Sequence, residues 1–214
     1  MRYTHILFDH DGVLVDTEHL YFKATQAILA ELGEPLSMSD YLALQARGGD
    51  AWTAVREASG EAAVRAARDR RNQRYQAMLR SEDIEIPGVG QALATLGEVC
   101  HMAIVTTARQ ADFDLIHEAR DIVPRMDFVL TNQDYPRSKP HPDPYLAALD
   151  RYGLKEADKP RALVVEDSER GLRAAVAAGL DCAVVSHPFT ASQDFSAAVY
   201  RIDALADLVG IVSG

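Results

Sequence analysis

Short apolar runs that end at polar residues recur along the chain and predict the strands of a sheet. The first run, Ile6-Leu7-Phe8, ends abruptly at Asp9. Because the run is apolar at consecutive positions, it is typical of a strand that is buried on both faces, as in a parallel sheet. Comparable runs predict strands at His101–Val105, Phe128–Leu130, 162–165 and 183–185, with a short edge strand near 199–202.

Segments with helical spacing separate these runs. From Asp16 to about Glu82 every predicted element is a helix, with breaks after Leu32, over 47–50 and at Gly60. Asp16 or Thr17 can cap the first of these helices. The predicted helix faces are Leu20, Ala24, Ala27, Ile28 and Leu32, then Val89, Leu93 and Leu96, then Phe113, Ile116 and Ala119, and two further helices run from Pro144 to Tyr152 and from a cap at Asp167 or Ser168 to Ala178.

The alternation of strands and helices after Pro87 predicts an α/β fold, with a Rossmann-like parallel sheet covered by helices on both faces. The all-helical segment separates the first strand from the others. We therefore expect a discontinuous core, residues 1–15 and 84–214, with a helical cap domain, residues 16–83, inserted into it. The two connections, near 13–17 and 80–87, are the predicted hinges.

Composition and charge narrow the class of protein. A chain of 214 residues suits one domain or one domain with an insert, and its net charge of −10 disfavours nucleic acid or an anionic membrane as a partner. No apolar run approaches the ~18 residues of a spanning helix. Arg2 and His5 interrupt any early apolar stretch, so we expect no signal peptide. Cys100 and Cys182 stand far apart in apolar segments, which predicts inert core thiols in a reducing cytoplasm.

Several features have a structural as well as a functional interpretation. The stretch 65–74 is rich in arginine, but it lacks interleaved aromatic residues and the protein is acidic. A solvated helix face is therefore favoured over an anion or nucleic-acid contact. Trp52 is predicted to lie in the helical core. His10 is predicted to support the site or line its wall rather than to bind a metal, and no spacing typical of a metal site links His5, His101, His117, His141 and His187.

Polar side chains follow three of the predicted strands. Asp9 and Asp11 follow the first, Thr106 follows the second, and Glu166 with Asp167 follows a later one. Because the carboxyl ends of parallel strands lie at one edge of the sheet, where open α/β sheets bind their ligands, we expect these side chains to converge. A further polar residue, a lysine at position 139, lies on a loop stiffened by prolines.

The chemistry of this set points to a metal and a reacting carboxylate. Asp9 and Asp11 repel each other unless they share a cation or a proton. One ionised carboxylate can be a nucleophile while its neighbour shuttles a proton. Oxygen ligands at this density suit Mg²⁺. Taken singly, each part has a plainer interpretation, as a solvated Asp-x-Asp turn, a strand-end hydroxyl, a solvated lysine or an acidic helix start, but together and in this order those interpretations become improbable.

Four motifs follow one another along the chain. They are Phe8-Asp9-His10-Asp11-Gly12-Val13-Leu14, Ala103-Ile104-Val105-Thr106, Lys139-Pro140-His141-Pro142-Asp143-Pro144-Tyr145, and Val165-Glu166-Asp167-Ser168 with Gly171. In this order they resemble the haloacid dehalogenase superfamily, in its phosphatase and phosphomutase branch with a helical cap. The chain is similar to β-phosphoglucomutases and phosphoglycolate phosphatases over essentially its whole length.

The resemblance implies an enzyme that hydrolyses a small phosphorylated metabolite, such as a sugar phosphate or phosphoglycolate, through an aspartyl-phosphate. It implies that Asp9 is the nucleophile and Asp11 the general acid and base, and that Thr106 and Lys139 hold the phosphoryl oxygens, with Thr107 as a further substrate contact. It also implies Mg²⁺ as the cofactor. Its ligands would be Asp9, the backbone carbonyl of Asp11 and Asp167, with Glu166 acting directly or through water. The cap would close over the site.

Within the superfamily, Asp11 argues against dehalogenases and phosphonate-cleaving enzymes, because both lack an acid at that position. A β-phosphoglucomutase-type mutase remains the alternative. The histidine and arginine of the mutase cap correspond to Tyr21 and Ala51 here, a departure that favours the hydrolase. A non-catalytic binding protein is the remaining alternative.

Substrate identity should be set by the cap. Its candidate residues are Tyr21, Arg47, Gly48 and Gly49, with Tyr21 and Arg47 the predicted substrate contacts. We expect a cytoplasmic monomer or weak dimer that binds neither nucleic acid nor membrane.

Overall fold

The structure, a computed structural model, describes residues 2–47 and 49–213, except for the side chains of Ala46 and Arg47. It divides into two compact units, Met1–Asp16 with Glu85–Gly214, and Thr17–Ile84. We call them the sheet unit and the helical unit. The assignment of a core function to the first and a cap function to the second stays a prediction.

The sheet unit is built on six parallel strands in the order β3-β2-β1-β4-β5-β6. The strands are β1 His5–Phe8, β2 His101–Val105, β3 Phe128–Leu130, β4 Ala162–Glu166, β5 Asp181–Val185 and β6 Tyr200–Ile202. This confirms the predicted strands, including the short edge strand, and the parallel α/β fold with an inserted helical segment. β1 lies in the middle of the sheet, which agrees with an apolar run buried on both faces.

The α-helices of the described residues are α1 Glu18–Glu31, α2 Met38–Arg47, α3 Thr53–Ser81, α4 Val89–Leu96, α5 Gln110–His117, α6 Asp143–Tyr152, α7 Glu169–Ala177 and α8 Asp207–Ser213. Two 3₁₀ helices run over Val123–Arg125 and Glu156–Arg161. No helix within 2–47 and 49–213 has the length and apolar character needed to cross a membrane.

Strand register places the polar strand ends at one level. Phe8 of β1 lies beside Ile104 of β2 and Val165 of β4. Asp9 therefore follows β1 at the height where β2 is ending and where Glu166 closes β4. Below this edge the core is packed from small and branched side chains with large aromatic ones, including Leu7, Ala103, Val105, Val164, Tyr145, Leu149 and Leu172.

Two local predictions about helix ends are wrong. The face Phe113, Ile116 and Ala119 does not continue to its last member, because α5 ends at His117 and the amide of Arg120 closes a turn on the His117 carbonyl. Ala119 is exposed. Of the two predicted caps of α1, Thr17 occupies the N-cap position but its side chain makes no capping hydrogen bond, so this alternative is wrong. At α7, by contrast, the hydroxyl of Ser168 accepts a hydrogen bond from the Gly171 amide as predicted.

Aromatic and charged pairs join α1 and α3 in the helical unit. Tyr21 and Tyr75 meet edge to face with their ring centroids 5.3 Å apart, and Arg74 pairs with Glu31 at the surface. Trp52 is buried, which confirms its predicted core position. The interpretation of 65–74 as a solvated face is wrong at Arg71, which is buried because its guanidinium packs over the Tyr21 ring.

Candidate active site

The carboxyl edge of the sheet brings three acidic side chains together. Asp9 follows β1, Glu166 ends β4, and Asp167 follows it. One carboxylate oxygen from each lies within 4.8 Å of the other two. Glu166 is fully buried, and the Asp9 side chain is 13% exposed. This is the convergence that the strand pattern predicts, and its chemistry depends on how three nearby negative charges are balanced.

Lys139 supplies the positive charge at the centre of this cluster. Its Nζ donates to Asp9 Oδ1 at 2.5 Å, to Glu166 Oε1 at 2.7 Å and to the Val105 carbonyl at 2.9 Å. These are all three of its N–H groups. The ammonium also lies 5.0 Å from the centroid of the Tyr145 ring, within the range of a cation–π contact. Lys139 is therefore held in one position, directly beside Asp9.

Glu166 is held just as firmly. Its Oε1 accepts hydrogen bonds from Lys139 and, at 2.7 Å, from the Tyr145 hydroxyl, and its Oε2 accepts one from the Ser168 hydroxyl at 3.0 Å. A Cβ at Gly171 would lie 1.8 Å from this carboxylate, so only glycine leaves it room. Because donors surround both oxygens, Glu166 is well suited to anchor Lys139, and its predicted action on a metal fits best through water.

Burial and charge act in opposite directions on these groups. Burial and the negative charge of Glu166 raise the pKa of Asp9 to about 6, against the opposing effect of Lys139. Burial alone would lower the pKa of Lys139, but Asp9 and Glu166 raise it above its usual range. Burial alone would raise the pKa of Glu166, but Lys139, Tyr145 and Ser168 lower it. The cluster thus keeps its lysine charged and leaves Asp9 the carboxylate most in need of further positive charge.

The acidic cluster fits a divalent cation. Asp9, Glu166 and Asp167 face one lysine, so the donor set carries excess negative charge and consists of the oxygen atoms that hard cations prefer. The backbone at Gly12 has φ +78°, and a Cβ there would lie 2.2 Å from Asp167 Oδ2. Glycine therefore lets the Asp11–Gly12 turn lie against Asp167, which brings the Asp11 backbone to the cluster.

The second aspartate of the motif is bound to a histidine. Asp11 Oδ2 lies 3.3 Å from Nδ1 of His10, which is fully buried. The Asp11 side chain is 30% exposed, which suits a group that exchanges protons with a substrate or with water. The prediction that His10 supports the site agrees with this contact. His10 also meets His117, a partner that the sequence analysis did not identify.

The threonines that follow β2 differ in their surroundings. Thr106 is fully buried, and its hydroxyl accepts a hydrogen bond from the Ala108 amide at 3.0 Å, which leaves its proton free to be donated. Tyr135 donates to the Thr106 carbonyl at 2.6 Å and steadies the loop. Thr107 is half-buried in the same loop. Their predicted contacts with phosphoryl oxygens stay predictions.

Comparison with known proteins identifies the family. A family model described as haloacid dehalogenase-like hydrolase matches residues 6–185. The chain belongs to this family.

Relatives of this hydrolase place it in the phosphatase branch. Protein CbbY of Cupriavidus necator is 31% identical over 94% of this chain and 85% of its own length. Phosphoglycolate phosphatase of Xanthomonas campestris is 31% identical over 82% of this chain and 79% of its own length. A crystal structure of a CbbY variant from Rhodobacter sphaeroides in complex with xylulose-1,5-bisphosphate superposes with a TM-score of 0.79 and 26% identity, covering 97% of this chain and 96% of that one.

Two of the predicted substrate contacts, Tyr21 and Arg47, belong to the helical unit of the hydrolase. The Tyr21 ring lies under the Arg71 guanidinium, with 4.1 Å between the Arg71 Cζ and the ring centroid. The side chain of Arg47 and the whole of Gly48 lie outside the described residues, so their predicted roles stay predictions. Gly49 is exposed, and its amide donates to the Leu44 carbonyl.

Sequence reasoning missed Arg71 as a candidate contact. The residue is 6% exposed, and no carboxylate within the described ranges forms an ion pair with it. Its Nε donates to the Asn72 side chain at 2.9 Å, and its Cζ lies 6.0 Å from the centroid of the Trp52 ring. A buried cation with only neutral neighbours is unusual. The stacked pair of Tyr21 and Arg71 is therefore the strongest candidate for anion recognition in this unit.

Proposed function

We propose that this hydrolase cleaves the phosphate monoester of a small sugar-like metabolite, with Mg²⁺ as cofactor and an aspartyl-phosphate on Asp9 as intermediate. The observation that carries the proposal is the 2.5 Å contact between Lys139 Nζ and Asp9 Oδ1 inside a cluster of carboxylates. Because Lys139 is already bound to Asp9, its positive charge reduces the electrostatic repulsion between an approaching anionic phosphate and the anionic Asp9 carboxylate.

In the first step, a carboxylate oxygen of Asp9 attacks phosphorus and the ester bond to the metabolite breaks. Asp11 gives its proton to the departing oxygen, which leaves as an alcohol. Thr106 and Thr107 donate to the phosphoryl oxygens, and the positive charge of Lys139, whose three N–H groups are already bound, attracts them electrostatically. Asp11 then takes a proton from the water that attacks the aspartyl-phosphate, and inorganic phosphate is released with Asp9 regenerated.

The proposed metal ligands are Asp9, Asp167 and the backbone carbonyl of Asp11, with Glu166 acting through water. The support is the excess of carboxylates over lysine and the close approach that Gly12 permits between its turn and Asp167. When bound, the cation supplies charge neutralisation for the reacting phosphoryl group. Lys139 and Glu166 would keep Asp9 oriented whether or not the cation is bound.

Recognition of the rest of the substrate is proposed to involve the helical unit. The buried Arg71 guanidinium, stacked on Tyr21, suits a second anionic group, such as a phosphate or carboxylate. A relative crystallised with a sugar bisphosphate is in keeping with a substrate of this kind. Sugar bisphosphates and phosphoglycolate, which both carry two anionic groups, are therefore the first substrates to test.

The test is a panel of phosphorylated metabolites assayed for release of inorganic phosphate with Mg²⁺, with excess chelator, and with Ca²⁺. We expect Mg²⁺ to support turnover, the chelator to abolish it, and Ca²⁺ to restore it poorly, because the larger ion accepts a looser coordination. Full activity in excess chelator would contradict the metal assignment. Absence of turnover on the panel, together with no thermal stabilisation by beryllofluoride and Mg²⁺, would favour a non-catalytic binding protein.

A mutase is tested separately with β-glucose 1-phosphate. Both activities pass through the same intermediate, so they differ only in whether water or a sugar hydroxyl attacks it. Since Tyr21 and Ala51 stand where the mutase cap has its histidine and arginine, we expect water to attack. Primed conversion to glucose 6-phosphate with little free phosphate would overturn the hydrolase assignment.

The expectations of a cytoplasmic location, of a monomer or weak dimer, and of no nucleic-acid or membrane partner stay predictions. Light scattering after size-exclusion chromatography tests the oligomeric state.

A further inference from the structure

Two histidines, His10, which is fully buried, and His117, which is half-buried, form a hydrogen-bonded chain that leads to Asp11. His10 Nε2 lies 2.8 Å from Nε2 of His117, at the end of α5, and His10 Nδ1 lies 3.3 Å from Asp11 Oδ2. Phe113 packs against both rings, with centroids 5.0 Å from His10 and 4.4 Å from His117. The two imidazoles are therefore fixed with one nitrogen of each facing the other.

This geometry limits where the protons can be. In a hydrogen bond between two imidazole nitrogens, one nitrogen must carry the proton and the other must accept it. His117 Nδ1 is buried and has no hydrogen-bond partner among the described residues. A buried N–H without an acceptor carries a desolvation penalty, so the proton of a neutral His117 belongs on Nε2. His117 Nε2 then donates, and His10 Nε2 accepts.

The same constraint passes to the other nitrogen of His10. With Nε2 accepting, the proton of a neutral His10 lies on Nδ1, where it points at the Asp11 carboxylate. The reverse arrangement would place a lone pair of His10 against an Asp11 oxygen and a buried N–H of His117 against no acceptor. Both changes are unfavourable, so one direction of the chain is strongly preferred.

The surroundings of His117 keep it uncharged. Burial, with smaller effects from His10 and Arg120, lowers the pKa of His117 to about 3. A neutral His117 is what the one-directional chain requires.

We infer that His117 sets the tautomer of His10, so that the Nδ1–H of His10 donates to Asp11 Oδ2 and holds the Asp11 carboxyl group in position. His10 and His117 are then positioning residues for the acid and base of the reaction. The inference rests on the proposed function for its catalytic consequence, but the tautomers themselves do not depend on it.

The tautomers are measured by NMR on the wild-type protein labelled with ¹⁵N, because protonated and unprotonated imidazole nitrogens have well-separated shifts. We expect the proton on Nδ1 of His10 and on Nε2 of His117. Finding the proton on Nε2 of His10, or on Nδ1 of His117, would overturn the inference. This measurement needs no substrate, so it stands even if the protein hydrolyses none of the esters tested.

The catalytic consequence is tested with His117→Leu, which removes the donor to His10. The value of kcat/KM reflects the steps up to and including departure of the alcohol, which is the step in which Asp11 donates its proton. For a sugar phosphate, whose leaving oxygen needs that proton, we expect kcat/KM to fall about 10-fold. For 4-nitrophenyl phosphate, with a weakly basic leaving group, we expect a much smaller fall. His101→Leu, at an exposed histidine 64% accessible to solvent, is the matched control and should change neither value.

Substitutions at His10 separate positioning from packing. The amide of His10→Asn can still donate to Asp11 but cannot reach His117, so it should retain more activity than His10→Leu. In the His10→Asn background, His117→Leu should have no further effect. Equal losses for both esters in His117→Leu would indicate a merely structural role and would overturn the positioning assignment. If the wild-type protein itself releases no phosphate while the tautomers are as expected, the proposed function fails and the hydrogen-bond chain does not.

Discussion

Buried charge is handled in opposite ways in the two units. In the sheet unit, Lys139 and Glu166 are almost completely buried and are joined to each other, to Asp9 and to Tyr145 by hydrogen bonds of 2.5 to 2.7 Å. In the helical unit, the arginines that pair with carboxylates are exposed or partly exposed; they are Arg56, Arg68, Arg70 and Arg74. The buried one, Arg71, contacts aromatic rings and neutral polar groups.

The difference indicates a division of labour. A buried charge whose donors and acceptors are all used has a fixed position and little capacity for a further ligand, which suits a group that must orient a nucleophile. A buried guanidinium beside neutral groups has donors to spare, and an anion would relieve its desolvation. We therefore expect substitutions in the sheet unit to affect chemistry and folding, and substitution of Arg71 to affect recognition.

Replacement of the nucleophile should have the largest effect. Asp9→Asn keeps the shape of the side chain, but an amide does not form the acyl phosphate, so turnover should fall on the order of a thousandfold or more. The measurement is steady-state release of phosphate with saturating Mg²⁺. Asp121→Asn, at a carboxylate that is 71% exposed, is the matched control and should have wild-type activity. Turnover by Asp9→Asn close to that of the wild type would show that the nucleophile lies elsewhere.

Removal of the central lysine should be the most damaging change to stability. Lys139→Met leaves Asp9 and Glu166 buried without their common partner, and breaking a buried ion pair in this way costs about 3–5 kcal/mol. The free energy of unfolding is measured by urea titration monitored by circular dichroism. Lys159→Met serves as the control, because Lys159 pairs with a glutamate that is 85% exposed and should contribute little. Similar midpoints for the two variants would mean that the cluster relaxes when its lysine is lost.

The parts of this site that lie on the sheet could be predicted from sequence because they depend on a repeated local pattern. An apolar run that ends at Asp9 and another that ends at Glu166 identify both the strands and the edge where they converge. The fold follows from the same runs. The end of α5 at His117 could not be predicted in this way, because a small residue such as Ala119 is compatible with either a buried or an exposed position.

Contacts between distant side chains could not be predicted in this way. Arg71 belongs to an arginine-rich stretch whose other arginines are exposed or only partly buried, and only the packing of α3 on α1 distinguishes it. His10 and His117 are 107 residues apart, and neither has a neighbour in sequence that suggests the pairing. Tyr145 belongs to a recognised motif, but its hydrogen bond to Glu166 depends on how α6 packs against β4, which the sequence does not show.

Loss of the buried Arg71 guanidinium should affect substrate binding more than the rate of the chemical step. For a substrate with two anionic groups, Arg71→Met should raise KM about 10- to 100-fold, since a hydrogen bond to a charged partner contributes about 1.5–3 kcal/mol. The value of kcat should change much less, and a substrate with one anionic group should be less affected. Arg74→Met, which removes an exposed arginine of the same helix that pairs with Glu31, is the control. An unchanged KM for every substrate would remove Arg71 from the proposed binding residues.

The smallest expected effect is a change in how stability depends on pH. His117 has a pKa lowered from 6.5 to about 3, chiefly by burial, so the folded protein leaves it neutral where the unfolded chain protonates it. Between these values the unfolded state binds one more proton, and the stability of the wild type should fall as pH drops below 6.5. Above pH 6.5 the residue contributes no such dependence. Urea midpoints of wild type and His117→Leu are measured at intervals from pH 7.5 to pH 5. The midpoint of the wild type should fall relative to that of the variant as pH falls, because the leucine variant lacks this source of acid sensitivity. Midpoints that stay a constant distance apart would mean that His117 is protonated as readily in the folded protein as in the unfolded chain, and would place a charge on a histidine that the chain to Asp11 requires to be neutral.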